Sequence, residues 1–138
     1  MSGLVRFGVS LEKELLHKLD ILLREKSYSN RSEFLRDLIR NELVKKEWLD
    51  NGQVVGAIIL VYDHHKRELI NSLTDIQHDF HELIVSGQHI HLDQHNCLEI
   101  IAVKGSPKRI VELANKLRSA KGVKHGGLSM TTTGKDLV

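Results

Sequence analysis

The first strand-like segment of this chain has no partner strand nearby, and this limits how its N-terminal third can fold. In LVRFGVSL, residues 4–11, apolar and polar side chains alternate, with Val5, Phe7 and Val9 on one face. The sequence that follows, up to DNGQ, shows helical periods and no second strand. A lone strand leaves its backbone N–H and C=O groups unpaired, and one short strand with two helices buries little core. We therefore expect two copies whose strands pair antiparallel and whose helices interlock.

Two helices are predicted after this strand. LEKELLHKLDILLREK carries leucines at helical spacing, and SYSN interrupts the pattern. Asn30 followed by Glu33 is typical of a capping box that opens the second helix. The apolar side of that second helix consists of Phe34, Leu35, Leu38, Ile39 and Leu43.

The periodicity changes at DNGQ, so we predict one domain over residues 1–50 and a second over residues 51–138. The second domain begins with the β-branched strand VVGAIILVYD, followed by the helix HKRELINSLTDIQHDFHELI. The strands QHIHLD and CLEIIAVKG, a helix opened by Pro107, and the strand VKHGGLSMTTT complete it. The order β-α-β-β-α-β is the split βαβ pattern of ferredoxin-like, ACT-like domains. The predicted fold class is α+β, with a β-α-α module in front of this domain.

Composition excludes some classes of protein and singles out histidine. The net charge is +2, and residues 1–50 carry ten Lys and Arg against nine Asp and Glu, so bulk charge gives no support for nucleic-acid binding. No apolar run approaches the roughly 18 residues of a membrane span, and no export signal is recognisable. We therefore expect a cytoplasmic protein without membrane contact. Seven of the nine histidines fall between His64 and His95, whereas we expect His64 and His65 themselves, with His17 and His125, to lie at the surface or at helix ends.

The run HIHLDQHNC, residues 89–97, predicts a cluster of metal-ligand side chains. His89 and His91 share one face of a strand. If the hairpin turns about Gln94, residue 91 lies opposite 97 and residue 89 opposite 99, with cross-strand Cβ atoms about 5 Å apart. Cys97 then joins the two histidines on one patch, with Glu99 beside them. In this register we expect four apolar residues to face the core: Ile90, Leu92, Leu98 and Ile100.

Two imidazoles and one thiolate provide three ligands, and a closed site needs a fourth. The candidates are His78 and His81 on the preceding helix, and His95, which ranks lower because it lies in the turn. Tetrahedral zinc and square-planar copper or nickel are all compatible with these residue types. Because cysteine binds as the thiolate, metal affinity is expected to fall as the pH drops.

The N-terminal module resembles the ribbon-helix-helix family of DNA-binding proteins. The resemblance rests on VRFGVSL leading into a leucine-striped helix and on YSNRSEFLRDLIR opening the second helix. In that family a two-stranded ribbon lies in the major groove. The outward positions here are Arg6, Gly8 and Ser10, and Arg6 is the strongest candidate because a guanidinium can pair with guanine. Gly8 departs from the expected side chain at the middle position. Three residues at the second helix N-terminus are expected to hold a phosphate: Asn30, Arg31 and Ser32.

The pattern H-x10-H-x-H-x5-C behind such a module is similar to that of the nickel-responsive transcriptional regulators. QHDFHE, VKG and GVKHG also occur in the order seen in that family, and the resemblance covers nearly the whole chain. It implies that His89, His91 and Cys97 bind Ni(II) in a square plane, completed by His78 from a neighbouring subunit. It also implies a homotetramer, a dimer of dimers, in which the C-terminal domains form the core between two DNA-binding dimers.

The same resemblance implies roles for residues outside the ligand set. Lys66 and Arg67 would contact the DNA backbone. Glu33 and Asp37 would bind a second cation such as K+ between the domains, although a solvated helix face explains them equally. Three residues would orient the ligand imidazoles through hydrogen bonds: Tyr62, Gln77 and Glu99.

Together these features predict a repressor that binds a palindromic operator when Ni(II) is bound. The resemblance further implies that it controls genes for nickel uptake. One alternative is a DNA-binding regulator that senses copper, cobalt, zinc or a small molecule, since βαββαβ domains also bind amino acids. The other alternative is a metal-dependent enzyme that uses Glu99 and Asp93 near an open coordination position. A filled plane of ligands and the N-terminal module argue against an enzyme.

Overall fold

The computed structural model describes residues 3–138, which pack as two units, one ending at Asn41 and the other beginning at Glu42. This division falls inside the second helix, so the domain limits 1–50 and 51–138 stay a prediction. The elements are α1 Lys13–Glu25, α2 Arg31–Leu49, β1 Val54–Asp63, α3 Arg67–Asp79, a 3-10 turn at His81–Leu83, β2 Ile84–His91, β3 Asn96–Gly105, α4 Pro107–Arg118 and β4 Val123–Thr131.

The N-terminal unit consists of α1, a tight turn and the first part of α2. Asn30 Oδ1 accepts the Glu33 backbone N–H at 2.9 Å, which confirms the predicted cap of the second helix. In the turn, the Tyr28 ring lies 5.0 Å from the Phe34 ring. Leu23 and Phe34 are the buried apolar residues among the described residues of this unit, so its core within one chain is small.

The predicted strand at residues 4–11 does not form within one chain, because residues 3–12 lie outside any helix or strand. The strands of the described residues pair among themselves in one sheet, which leaves this segment without a ladder partner. Its apolar face is open to solvent, and Phe7 is 74% exposed. The leucine stripe of α1 is also partly exposed, at Leu15 and Leu22. A single copy therefore leaves the apolar surface of this unit uncovered.

The C-terminal unit is built on one antiparallel sheet with the strand order β2-β3-β1-β4. Helix α3 leads from β1 to β2 on the far side of β3, and α4 leads from β3 to β4. This is the split βαβ arrangement, so the predicted α+β fold class is confirmed. The helices cover one face of the sheet, and the core lies between them: Ile58, Leu60, Ile101 and Val103 from the sheet, Leu69 and Leu73 from α3, Ile110, Leu113 and Leu117 from α4.

The opposite face of the sheet is apolar as well, and no helix of this unit covers it. Ile59 is 38% exposed there, and its cross-strand partner Ile100 is half-buried. The prediction that Ile90, Leu92, Leu98 and Ile100 face the core was wrong for the single chain: Leu92 is 53% exposed, and the other three are half-buried. Both faces of β3 carry apolar residues, so alternation alone could not identify the covered one.

The boundary between α3 and β2 also differs from the prediction. Helix α3 ends at Asp79, and a 3-10 turn at His81–Leu83 leads directly into β2. Phe80, which lies within the predicted helix, is buried, and the guanidinium carbon of Arg109 lies 4.3 Å from its ring centroid. Strand β2 therefore begins at Ile84, four residues before the predicted start.

Gly56 is a position where β1 tolerates no side chain. A Cβ there would lie 2.8 Å from the Ser129 carbonyl oxygen of the neighbouring strand. Gly56→Ala is expected to destabilise the chain by about 1–3 kcal/mol, since the β1–β4 backbones would have to separate. Urea unfolding would measure this, with Gly87→Ala as the control, because a Cβ at Gly87 lies 3.9 Å from its nearest neighbour. Equal stabilities of the two variants would contradict the close approach.

Candidate metal centre and nucleic-acid interface

The β2–β3 hairpin places the predicted ligands side by side. His89 lies opposite Glu99, and His91 lies opposite Cys97, which confirms the predicted register. In the turn, the Asn96 side chain and the backbone N–H groups of Asn96 and His95 donate to Asp93, and these bonds lower the pKa of Asp93 to about 2. Asp93 is therefore a turn-forming carboxylate and unsuited to act as a general acid.

The Cys97 thiol lies on the helix-covered face of the sheet, next to the core. Its side chain is 0% exposed, and Sγ donates to the carbonyl oxygen of Tyr62 at 3.4 Å. Burial raises the pKa of this thiol. The imidazoles of His89 and His91 are exposed on the same face, with ring centroids 5.3 Å apart. The hairpin thus sets two accessible nitrogens beside a protected sulfur.

Glu99 connects these ligand candidates to the rest of the domain. It accepts hydrogen bonds from the Tyr62 hydroxyl at 2.5 Å and from the Gln77 side-chain amide at 2.8 Å. His89 Nδ1 lies 3.8 Å from the same carboxylate. Burial and the hydrogen bond to Glu99 raise the pKa of Tyr62, so it stays a donor. The three residues expected to orient the imidazoles therefore form one hydrogen-bonded group.

The fourth predicted ligand does not join the others within one chain. His78 lies exposed at the end of α3, and its ring stacks on His81 with centroids 6.0 Å apart. In residues 3–138, neither the hairpin trio nor any set with His78 brings three ligand atoms within 4.8 Å of one another. One chain therefore does not complete a four-ligand set with its side chains in these positions.

His64 belongs to this region, although sequence reasoning placed it at the surface. It is half-buried, and its ring centroid lies 4.7 Å from that of His91. Its Nδ1 atom is buried and lacks a hydrogen-bond partner among the described residues. The sequence held one indication of this position, because His64 directly follows β1. The last residue of β1, Asp63, pairs with Asn96 at the base of the hairpin turn.

Comparison with known families assigns both parts of the chain. The model described as the nickel-binding C-terminal domain of NikR matches residues 55–131, more than half of the chain. The model described as ribbon-helix-helix protein, copG family, matches residues 5–46. The chain belongs to the nickel-responsive regulator family.

Whole-length relatives agree with this assignment. The chain is 56% identical over 135 residues to a nickel-responsive regulator of Syntrophus aciditrophicus, covering 98% of each chain. It is 57% identical to one of Chlorobium limicola, covering 97% of this chain and all of the relative. The relative from Pyrococcus furiosus is 53% identical, with 99% of each covered. Members of this family are named as regulators, so the prediction that the chain is not an enzyme is confirmed.

A solved structure with low sequence identity supports the fold alone. An uncharacterized protein of Thermotoga maritima superposes with a TM-score of 0.53 at 15% identity, covering 59% of this chain and 100% of that one. No helix within residues 3–138 combines the length and apolar character that crossing a bilayer requires.

The predicted DNA-reading residues of this family member are accessible. Arg6, Gly8 and Ser10 are all exposed. At the start of α2, Ser32 is exposed, and the side-chain oxygen of Asn30 already accepts the Glu33 backbone N–H. Lys66 and Arg67 are exposed at the start of α3.

Arg31 departs from the simple expectation of a free phosphate ligand. Its guanidinium forms two bonds to the Asp20 carboxylate, at 2.9 and 3.0 Å, and these bonds lower the pKa of Asp20. The pair is partly exposed, so it contributes little stability. A phosphate at this helix end would have to compete with Asp20 for Arg31.

The two carboxylates expected at a second cation site are also paired within the N-terminal unit. Asp37 accepts hydrogen bonds from the Tyr28 hydroxyl at 2.5 Å and from Arg40 at 3.1 Å, which lower its pKa. Glu33 lies 3.0 Å from Arg36. A cation here would have to displace part of these contacts.

Proposed function

We propose that this chain is a nickel-dependent repressor whose corepressor Ni(II) is held by His89, His91 and Cys97 of one subunit and His78 of a neighbouring subunit. The observation that carries this proposal is the hairpin register, which sets both imidazoles beside the only cysteine of the chain. The match to a nickel-binding domain over residues 55–131 supports the choice of metal. Among residues 3–138 of one chain, His78 does not join the hairpin residues in one group, and this supports a ligand from a second subunit.

The residues present fit a nickel ion. Imidazole nitrogens and a thiolate are ligands that Ni(II) accepts, and when bound it supplies a rigid centre that prefers four donors in a plane. Cys97 would provide its sulfur from a buried position, and because burial raises the pKa of this thiol, the metal would have to displace its proton. Glu99, fixed by Tyr62 and Gln77, lies 3.8 Å from His89 Nδ1, so a small shift of the His89 side chain would let Glu99 orient this imidazole.

The uncovered apolar surfaces support a homotetramer organised as a dimer of dimers. In the N-terminal unit, Val5, Phe7 and Val9 need a second ribbon strand to cover them. In the C-terminal unit, the sheet face with Ile59 and Ile100 needs a second sheet. The two faces lie in different units, so each can take a different partner copy. With a two-fold contact at each face and a closed assembly, four chains cover every such face. Two separated DNA-binding dimers then read a palindromic operator with two half-sites.

Repression follows from linkage between the metal and the DNA. A metal that binds one arrangement of the tetramer more tightly shifts the population toward that arrangement. If this arrangement also fits the operator, nickel tightens DNA binding by the factor by which DNA tightens nickel binding. A repressor of this kind acts in the cytoplasm and suits genes for nickel uptake. Contacts from Lys66 and Arg67 to phosphates make binding salt-dependent, and K+ at Glu33 and Asp37 would add a second requirement for a cation.

A gel-shift titration on a palindromic operator tests the proposal. Operator binding is expected when Ni(II) is present and not when a chelator has removed the metal. Copper, cobalt and zinc are run in parallel, and tighter operator binding with one of them would assign another metal. Binding that is independent of every metal would support the small-molecule alternative.

The Arg6 side chain separates sequence readout from general DNA affinity. Arg6→Ala is expected to weaken operator binding by about 1–3 kcal/mol while leaving binding to unrelated DNA nearly unchanged, because a guanine contact is lost. Lys66→Ala is the matched comparison, and it is expected to weaken both DNAs equally and to lower the salt dependence. Fluorescence anisotropy at two salt concentrations measures both. Equal losses on both DNAs for Arg6→Ala would contradict its reading role.

A further inference from the structure

A second group of metal-ligand side chains lies at the end of the sheet, apart from the Cys97 patch. It consists of Asp63 at the end of β1, His65 two residues later, and His95 in the β2–β3 turn. Among residues 3–138 this is the one group of at least three histidine, cysteine or carboxylate side chains with ligand atoms all within 4.8 Å of one another. None of the three belongs to the proposed nickel quartet.

Backbone contacts hold these side chains in place. Asp63 Oδ1 accepts the His65 backbone N–H at 2.9 Å, which fixes the turn after β1. The His64 backbone N–H donates to the His95 carbonyl oxygen at 3.0 Å, which ties that turn to the hairpin. Asp63 also pairs with Asn96 in the β1–β3 register. The arrangement therefore depends on the sheet and not on a flexible surface loop alone.

The side chains themselves converge on one point. His65 Nδ1 lies 3.3 Å from Asp63 Oδ1, and the His65 and His95 ring centroids are 5.5 Å apart. Ligand atoms on opposite sides of a zinc-sized ion are about 4 Å apart, since each bond is about 2.0–2.2 Å. Small side-chain rotations therefore bring all three atoms into bonding distance.

We propose that Asp63, His65 and His95 form a second, solvent-facing site for a divalent transition-metal ion. One carboxylate and two neutral imidazoles suit Ni(II), Cu(II), Zn(II) or Co(II), and the absence of sulfur among them distinguishes the site from the Cys97 patch. The His65 side chain is 60% exposed, so water fills the remaining positions and binding is weaker than at a buried site. An ion here ties the hairpin turn to the end of β1.

The two sites are neighbours. The His64 ring stands between them, with its centroid 4.2 Å from that of His65 and 4.7 Å from that of His91. An ion at the outer site, formed by Asp63, His65 and His95, therefore fixes His65, whose ring contacts that of His64. Metal binding at either site is expected to shift the imidazole NMR signals of His64, because its ring contacts a residue of each site.

The test is a nickel titration of the untagged full-length chain, with Ni(II) as the probe. Bound nickel is counted by equilibrium dialysis, and the thiolate-to-nickel absorption band reports Cys97 separately. Wild type is expected to bind a second, weaker equivalent that adds no thiolate band. His65→Gln and His95→Gln are each expected to weaken that equivalent by at least about tenfold, as loss of a ligand should cost no less than loss of a supporting contact. His17→Gln, which removes an exposed histidine of α1, is the matched control.

Two further variants keep the result interpretable. Asp63→Asn retains an oxygen that can accept the His65 N–H but loses the charge, so it is expected to weaken the second equivalent without unfolding the turn. Cys97→Ala is expected to lose the thiolate band and keep the outer equivalent, which separates this proposal from the proposed repressor function. Three results would each overturn the outer site. The wild type could bind a single equivalent of nickel, the second equivalent could survive in both histidine variants, or those variants could lose the thiolate band.

Discussion

Cys97→Ala is expected to lower the nickel affinity by more than about a hundredfold and to abolish nickel-dependent operator binding. Supporting residues around a metal typically contribute 10- to 100-fold in affinity, and a direct ligand should contribute at least as much. Alanine removes a single sulfur atom from this fully buried position and leaves only a small cavity, so the fold is expected to survive. Competition with a chelator measures the affinity, and the absorption band of the thiolate is expected to vanish.

Glu99→Gln provides a graded comparison for the cysteine variant. It keeps one side-chain oxygen for the Tyr62 hydroxyl and removes the charge near His89. The other oxygen becomes an amide NH2, which the Gln77 side chain can accept after its amide flips. Nickel affinity is expected to fall by about 10- to 100-fold while the thiolate band remains. A Cys97→Ala chain that bound nickel as tightly as the Glu99→Gln chain would remove the cysteine from the ligand set, and the proposed corepressor site with it.

Phe7→Asp is expected to convert the proposed tetramer to a dimer and to abolish operator binding at every nickel concentration. Phe7 is 74% exposed in one chain, so the substitution costs the isolated unit little. In the proposed ribbon dimer the same position is buried, and two unpaired carboxylates facing one another there prevent pairing. Sedimentation velocity gives the assembly state, and gel shift gives the DNA binding.

The proposed nickel site should survive this change, because its residues lie in the other unit. Phe7→Asp is therefore expected to keep the thiolate-to-nickel band, which separates loss of the ribbon from general unfolding. Ser10→Asp introduces the same charge on the opposite face of the segment and serves as the control: it is expected to remain a tetramer. A tetrameric Phe7→Asp chain would contradict the pairing of the N-terminal segments.

Local patterns predicted the hairpin because two independent constraints agree there. Alternation along HIHLDQHNCLEI and a polar turn centred near Gln94 allow one register, and the structure has it. The covered face was not predictable in the same way. Cys97 and Leu98 are neighbours with similar apolar character, and tertiary packing alone decides that the helices lie over Cys97.

Features that depend on contacts distant in sequence were harder to predict. His64 looked like a helix-end residue, and its half-buried position follows from the β1–β3 pairing that brings it to His91. The N-terminal segment was predicted as a strand, but a strand needs a ladder, and one chain offers none. The ligand His78 was proposed from family resemblance, since spacing could not tell which subunit supplies it.

The sealed position of Cys97 bears on the chemical durability of the chain. Thiols react with peroxides and electrophiles as accessible thiolates, and burial suppresses both access and ionisation. Because its sulfur is buried beside Tyr62 and the helix layer, the metal-free chain is expected to resist oxidation and alkylation. The thiol of the only cysteine in the chain is therefore expected to stay reduced and unmodified before a metal binds.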